Sequence, residues 1–289
     1  MKRHLHLLII DPQNDFCDLP EKFRPLDPVR GVRRAPALPV PGAHRDMLRL
    51  AELIELGRAG LSGISVTLDS HHRYDIAHPT FWMAGDGAAV APFTEIRAAQ
   101  VRAGAFVPRS AAALPRALAY LDALEAAGRY HLMVWPVHCE IGSWGQNVHD
   151  KVRAAYNRWE EAGPGIVAKV NKGANPWTEH YSAVMAEVPD QADPETQLNR
   201  AFIDGLSLAD RIYIAGEAGS HCVKASTEHI VDHFAARDVA KLVLLTDCIS
   251  PVAGFEARYQ DFLRAMAARG VTLAQSGDAL PELLMNARL

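Results

Sequence analysis

Cysteine is scarce in this chain, with four among 289 residues at positions 17, 139, 222 and 248. Thiols so few and so scattered exclude a disulfide framework, and a reducing cytoplasm is the expected setting. Long apolar runs are missing as well. No stretch approaches the roughly 20 residues a membrane helix needs, so no membrane partner is expected. Basic runs are absent, and the formal net charge is −4, which argues against a nucleic-acid partner. The opening "MKRHLHLLIIDPQ" lacks a small-residue cleavage site and runs straight into polar residues, so it reads as a first strand rather than a signal peptide. Internal repeats and low-complexity tracts are not found either.

What is present is ordinary for a large soluble core: 49% hydrophobic and 22% charged residues, on a chain long enough to bury much of its apolar surface. Short β-branched and aliphatic runs occur at 6–11, 63–68, 165–170, 211–216 and 241–246, with a shorter sixth at 271–274. The stretch 130–135 reads as either a strand or a buried loop. Between the runs lie segments with apolar residues at helical spacing, such as "SHCVKASTEHIVDHFAARD" and "EARYQDFLRAMAARG". Alternation of this kind predicts an α/β fold: three α/β/α layers around a six-stranded, mainly parallel sheet. One domain spanning 1–289 is expected. It carries a Pro- and Arg-rich insertion at about 17–41 and a second at about 86–129, with an Ala-rich helical pattern near 109–128.

Ligands of such sheets sit beyond the carboxyl ends of the strands, so the residues following each run matter most. Asp11 follows the first. The second leads to Asp69, His71 and His78, with His72 and Asp75 nearby as further candidates. One carboxylate and two imidazoles suit Zn²⁺, or Fe²⁺ or Mn²⁺ with water in open positions. The third leads to Lys172 and the fourth to Cys222, at the first turn of a helix in "IAGEAGSHCVKAS". A thiol there has its thiolate favoured by the helix dipole and a nearby cation, and an adjacent carboxylate can take its proton. Each of these residues has an ordinary structural role open to it: a cap for Asp11, a surface charge for Lys172, a buried core thiol for Cys222.

Taken together, "IIDPQNDFC", "LDSHHRYDIAHPTFW", "WPVHCEIGSWG", "NKGANPWTEHYSA" and "GEAGSHCVKAS" resemble, in order, the motifs of nicotinamidases (pyrazinamidases), isochorismatase-like cysteine hydrolases. The resemblance implies a catalytic triad of Asp11, Lys172 and Cys222, and metal ligands Asp69, His71 and His78. It implies an oxyanion hole from the Ala218 and Cys222 amides, with a cis peptide between Glu217 and Ala218. The motif around His138 and Cys139 favours the nicotinamidase branch over isochorismatases, which lack the nucleophilic cysteine. The implied activity is hydrolysis of nicotinamide to nicotinate and ammonia, in pyridine nucleotide salvage, by an enzyme expected to be a homo-oligomer. Phe16 and Trp82 are candidate aromatic walls for the substrate ring. The chain departs from the pattern in three places. His78 lies nine residues beyond Asp69 where six is usual, Ser70 stands where tryptophan is frequent, and "EAGSHC" replaces a more usual loop before the cysteine. The alternatives are a related amidase acting on another small amide, carbamoyl or ureido compound, and a binding protein on a hydrolase scaffold.

Overall fold

The computed structural model describes residues 1–163 and 165–289. Its strands are β1 (Leu5–Ile10), β2 (Gly63–Asp69), β3 (Trp82–Ala84), β4 (Thr94–Ile96), β5 (Phe106–Pro108), β6 (Leu132–Val134), β7 (Ala168–Lys172), β8 (Arg211–Gly216), β9 (Leu242–Leu245) and β10 (Thr272–Ala274). The helices are α1 (Ala43–Gly57), α2 (Ala98–Arg102), α3 (Leu114–Ala127), α4 (Asp150–Ala162), α5 (Arg200–Ser207), α6 (Cys222–His233), α7 (Glu256–Ala268) and α8 (Ser276–Asn286).

Six strands form one sheet in the order β10-β9-β8-β1-β2-β7, every neighbouring pair parallel. The chain starts at the middle with β1, steps outward through β2 to β7, then crosses to β8 and steps outward the other way. Strand order therefore reverses between β1 and β8, and the crevice at their carboxyl ends is where such folds place ligands. β1 and β8 are buried along nearly their whole length, as their continuous aliphatic sequences require once helices cover both faces. α1 packs on α4 and α8, and α6 on α7. In α1 the buried Ala43, Met47, Leu50, Ile54 and Gly57 recur at helical spacing and make its inward stripe. Fully burying each large aliphatic side chain contributes about 1.5–3 kcal/mol, so this central layer is the rigid part of the molecule.

The run expected at 165–170 is strand only at 168–172. Its side chains are largely exposed, as on an open edge, so an apolar run was a poor guide to its bounds. The 130–135 stretch is β6, and it pairs antiparallel with β4 outside the main sheet. The 86–129 segment supplies β4, β5, α2 and α3, with β5 pairing antiparallel with β3. The 17–41 segment is mostly loop. It is fastened where it returns, because the Asp18 carboxylate accepts from the Gly42 and His44 N–H groups at 2.9 and 2.8 Å. α8 closes the other end of the chain: Asn286 accepts from the Arg3 N–H at 2.8 Å and donates to the carbonyls of Arg3 and Gly60. No helix is long and apolar enough to cross a membrane among the described residues.

Candidate active site

Asp11 stands one residue past β1 with φ of 42°, a left-handed conformation uncommon outside glycine. It is held by its neighbour in the sheet. Its N–H donates to Thr67 Oγ1 at 3.0 Å, and the Thr67 hydroxyl donates back to Asp11 Oδ1. Lys172, at the tip of β7, reaches across with Nζ 2.9 Å from Asp11 Oδ2, 3.0 Å from Asp69 Oδ1 and 3.0 Å from the His180 carbonyl. Cys222 Sγ is 3.6 Å from the same ammonium. The ligating atoms of Asp11, Asp69 and Cys222 all lie within 4.8 Å of one another. Two glycines make room for this. A Cβ on Gly216 would fall 1.9 Å from the Ile10 carbonyl oxygen, and one on Gly173 2.9 Å from Asp69 Oδ1, both at positive φ.

The charges of this group follow from burial. Burial pushes the Asp11 carboxyl up, against the opposing pull of Lys172. Burial alone would lower Lys172, but Asp11 and Asp69 outweigh it and hold the ammonium well above its usual range. Cys222 is pushed well above an ordinary thiol, first by burial and then by the two carboxylates, with Lys172 opposing. Desolvation thus opposes the support that the helix dipole and the Lys172 cation give the thiolate.

The imidazoles gather on the far side of Asp69. One ring nitrogen from each of His71, His78 and His138 lies within 4.8 Å of the others, all three buried. Asp69 Oδ2 is 3.2 Å from His71 Nε2 and 3.5 Å from His138 Nε2. Asp75 Oδ2, 3.1 Å from His71 Nδ1, fixes that ring and leaves its Nε2 without a hydrogen-bond partner. The Pro136 carbonyl does the same for His138 from 2.8 Å. His78 Nδ1 is also buried without a partner, and burial followed by its two imidazole neighbours pushes His78 down to about 2. One nitrogen from each of three buried imidazoles, gathered within 4.8 Å beside the Asp69 carboxylate, is a donor set that fits a divalent cation.

The sequence expectations meet this geometry unevenly. Asp11, Lys172, Cys222, Asp69, His71 and His78 come together. Asp75 sits behind His71, and His72 is exposed. His138 joins the imidazoles although it was read only as part of a motif. It is delivered by a loop laid against the β2 tip, with the His71 N–H donating to the Cys139 carbonyl at 3.0 Å and Cys139 N–H to Asp15 Oδ2 at 2.7 Å. Phe16 lines the cleft beside Cys222, together with Leu38, Trp135, Tyr181, His221 and Val252. Trp82 does not: it is fully buried behind Phe81, with Nε1 donating to the Ile76 carbonyl at 2.7 Å. The wall expected from Trp82 is supplied by Trp135 and Tyr181, which are joined by an Nε1–H to Oη bond of 3.0 Å. Glu179 also lines the cleft, buried, with Oε2 unpartnered. It lies in "TEHYSA", just after the β7 tip, and that position at the active edge was the signal available for it. The Glu217–Ala218 peptide is cis, and neither the Ala218 nor the Cys222 N–H donates to a protein acceptor among the described residues.

No family model and no curated protein matches the chain. Solved structures do. A nicotinamidase/pyrazinamidase from Acinetobacter baumanii matches at TM-score 0.61 and 17% identity, over 96% of this chain and 98% of that one. An isochorismatase family protein from Desulfovibrio vulgaris matches at TM-score 0.52 and 16% identity, over 98% and 99%. The fold is that of the isochorismatase family. A pyrazinamidase of Pyrococcus horikoshii in complex with zinc shares the isochorismatase-family fold with this chain at TM-score 0.50 and 18% identity, over 94% and 99%.

Proposed function

We propose that the chain is a cysteine amidohydrolase that converts nicotinamide to nicotinate and ammonia. The observation that carries this is the meeting of Asp11, Lys172 and Cys222 at the strand-order reversal, with the Lys172 ammonium 2.9 Å from Asp11 Oδ2 and 3.6 Å from Cys222 Sγ. On substrate binding the thiol proton passes to Asp11, and Lys172 stabilises the resulting thiolate. Sγ attacks the amide carbon. The oxyanion that forms is received by the Ala218 and Cys222 N–H groups, which no protein acceptor occupies. The carbon–nitrogen bond then breaks, the leaving nitrogen takes the proton from Asp11, and ammonia departs from a thioester. Asp11 next takes a proton from water, whose oxygen attacks the thioester; the adduct expels the Cys222 thiolate, which takes the proton back from Asp11, and the acid leaves as carboxylate with its proton released to solvent.

Asp69, His71, His78 and His138 would hold a divalent cation. Three imidazoles and a carboxylate suit zinc, the metal in the Pyrococcus pyrazinamidase structure. When bound, it would supply a Lewis-acid point that orients a pyridine ring nitrogen, with the ring between Phe16, Trp135 and Tyr181. Ammonia release from nicotinamide, wild type against Cys222→Ala, tests the reading. Wild-type turnover lost in the variant is expected. A wild type inert on nicotinamide but active on a carbamoyl or ureido compound would overturn the substrate and keep the chemistry.

A further inference from the structure

Behind the loop that carries the Ala218 and Cys222 amides lies a buried acid pair that no step above uses. Glu217 is fully buried just past β8, and Asp46 is buried in the first turn of α1. Both carboxyls reach Ser250, one at its N–H and the other at its hydroxyl. Glu217 Oε2 accepts from the Ser250 N–H at 3.2 Å, and the Ser250 carbonyl accepts from the Gly219 N–H at 2.8 Å. The Ser250 hydroxyl donates to Asp46 Oδ2, while Val252 N–H donates to Ser220 Oγ at 3.1 Å. The 249–252 segment is thus laced to the oxyanion loop, and the acid pair anchors the lacing to α1.

Two buried carboxyls that meet the same serine favour a proton on one of them. Asp46 already receives Arg49 Nη2 at 2.6 Å and the Ser250 hydroxyl, which favour its charge. Glu217 Oε1 receives no donor, so of the two carboxyls Glu217 has the less support for a charge. Around the pair, Asp18 and Cys17 face it from the 17–41 segment, Arg49 from α1, Asp247 from the turn after β9, and Tyr259 from α7. The acids outnumber the single guanidinium, a setting that keeps the proton on. Burial and then Asp46 push Glu217 well above the usual carboxyl range, in line with this arrangement.

We propose that Glu217, which accepts from the N–H of the serine that in turn accepts from Gly219, is a positioning residue that aims the 217–222 loop amides into the cleft. Its catalytic meaning rests on the thioester reading above, but the clamp can be tested apart from it. Glu217→Gln keeps the bond from Ser250, since the amide oxygen accepts in place of the carboxyl. Glu217→Val removes it.

The experiment compares wild type, Gln and Val variants by hydrogen–deuterium exchange over 216–222, by kcat and KM on nicotinamide, and by the rate at which iodoacetamide alkylates Cys222. Exchange is expected to quicken at least about tenfold in Val and to stay near wild type in Gln. In Val, kcat falls about 10- to 100-fold, less than full loss of an oxyanion donor, while KM and alkylation hold. Glu217→Leu, closer to glutamate in size and equally unable to accept, gives the same exchange readout if Val does not fold. Unchanged exchange in Val or Leu overturns the clamp. Quickened exchange with wild-type kcat overturns the positioning role. A wild type inert on every amide overturns the function proposed above, and exchange still judges the clamp.

Discussion

The two halves of the cleft are built by opposite means. On one side Asp11, Lys172 and Cys222 stand at strand and helix ends of the central sheet, and an ammonium lies within 3.0 Å of two carboxylates. That half is close to charge-balanced by its own residues. On the other side His71, His78 and His138 come from loops, and buried ring nitrogens of His71 and His78 have no partner. That half offers a donor set suited to a cation. The difference separates a chemical half, fixed by the fold, from a binding half, fixed by what it holds. Asp69 belongs to both, with Oδ1 toward Lys172 and Oδ2 toward the imidazoles.

The comparison breaks most plainly at the nucleophile. Cys222→Ala should lower kcat/KM by on the order of 10⁴ or more, as loss of a nucleophile that acts within a triad does. Its metal content by elemental analysis should match wild type, and loss of metal would mean the halves cannot be separated. Lys172→Met should also destabilise the chain, by about 3–5 kcal/mol in urea unfolding, because Asp11 and Asp69 would stay buried without their cation. Wild-type stability would show that the carboxylates take up protons instead. On the binding side, Asp75→Asn should weaken zinc affinity about 10- to 100-fold, because His71 loses the partner that orients it. His138→Ala should weaken it further. In both, iodoacetamide should still alkylate Cys222 at close to the wild-type rate.

The smallest effect lies outside both halves. Burial, then the neighbouring His44, holds His149 down at about 4. Below pH 6.5 the unfolded chain takes up a proton that the folded chain refuses, so this histidine costs stability as pH falls toward 4. The loss is about 1.4 kcal/mol per pH unit at most. His149→Gln should flatten the fall in melting temperature between pH 7 and pH 5 while leaving kcat at pH 7.5 unchanged.

This division also explains what could be read from the sequence. The residues of the chemical half follow aliphatic runs directly, so strand–helix alternation alone put Asp11, Lys172 and Cys222 on one edge. The strand bounds near 165 were missed because β7 is an open edge, where the sequence need not be apolar on both faces. His138 and Glu179 reach the cleft on loops whose paths are set by long-range bonds, such as His71 N–H to the Cys139 carbonyl, and these leave no local pattern. Trp82 was drawn toward the cleft by its place in a motif. Its indole N–H is satisfied by the Ile76 carbonyl, which turns the ring into the core.

The fastening of α8 to the start of β1 has a bearing on how the chain can be handled. Asn286 grips Arg3 from both its carbonyl and its amide side, and Leu283 packs so closely over Gly60 that a Cβ there would meet the Leu283 carbonyl oxygen at 2.0 Å. The last helix thus steadies the first strand, whose far tip carries Asp11. A truncation after residue 275 would remove no cleft residue, yet it would unclasp the near end of the strand that ends at Asp11. Trimming the tail for expression or labelling therefore reaches the cleft from the opposite end of the sheet.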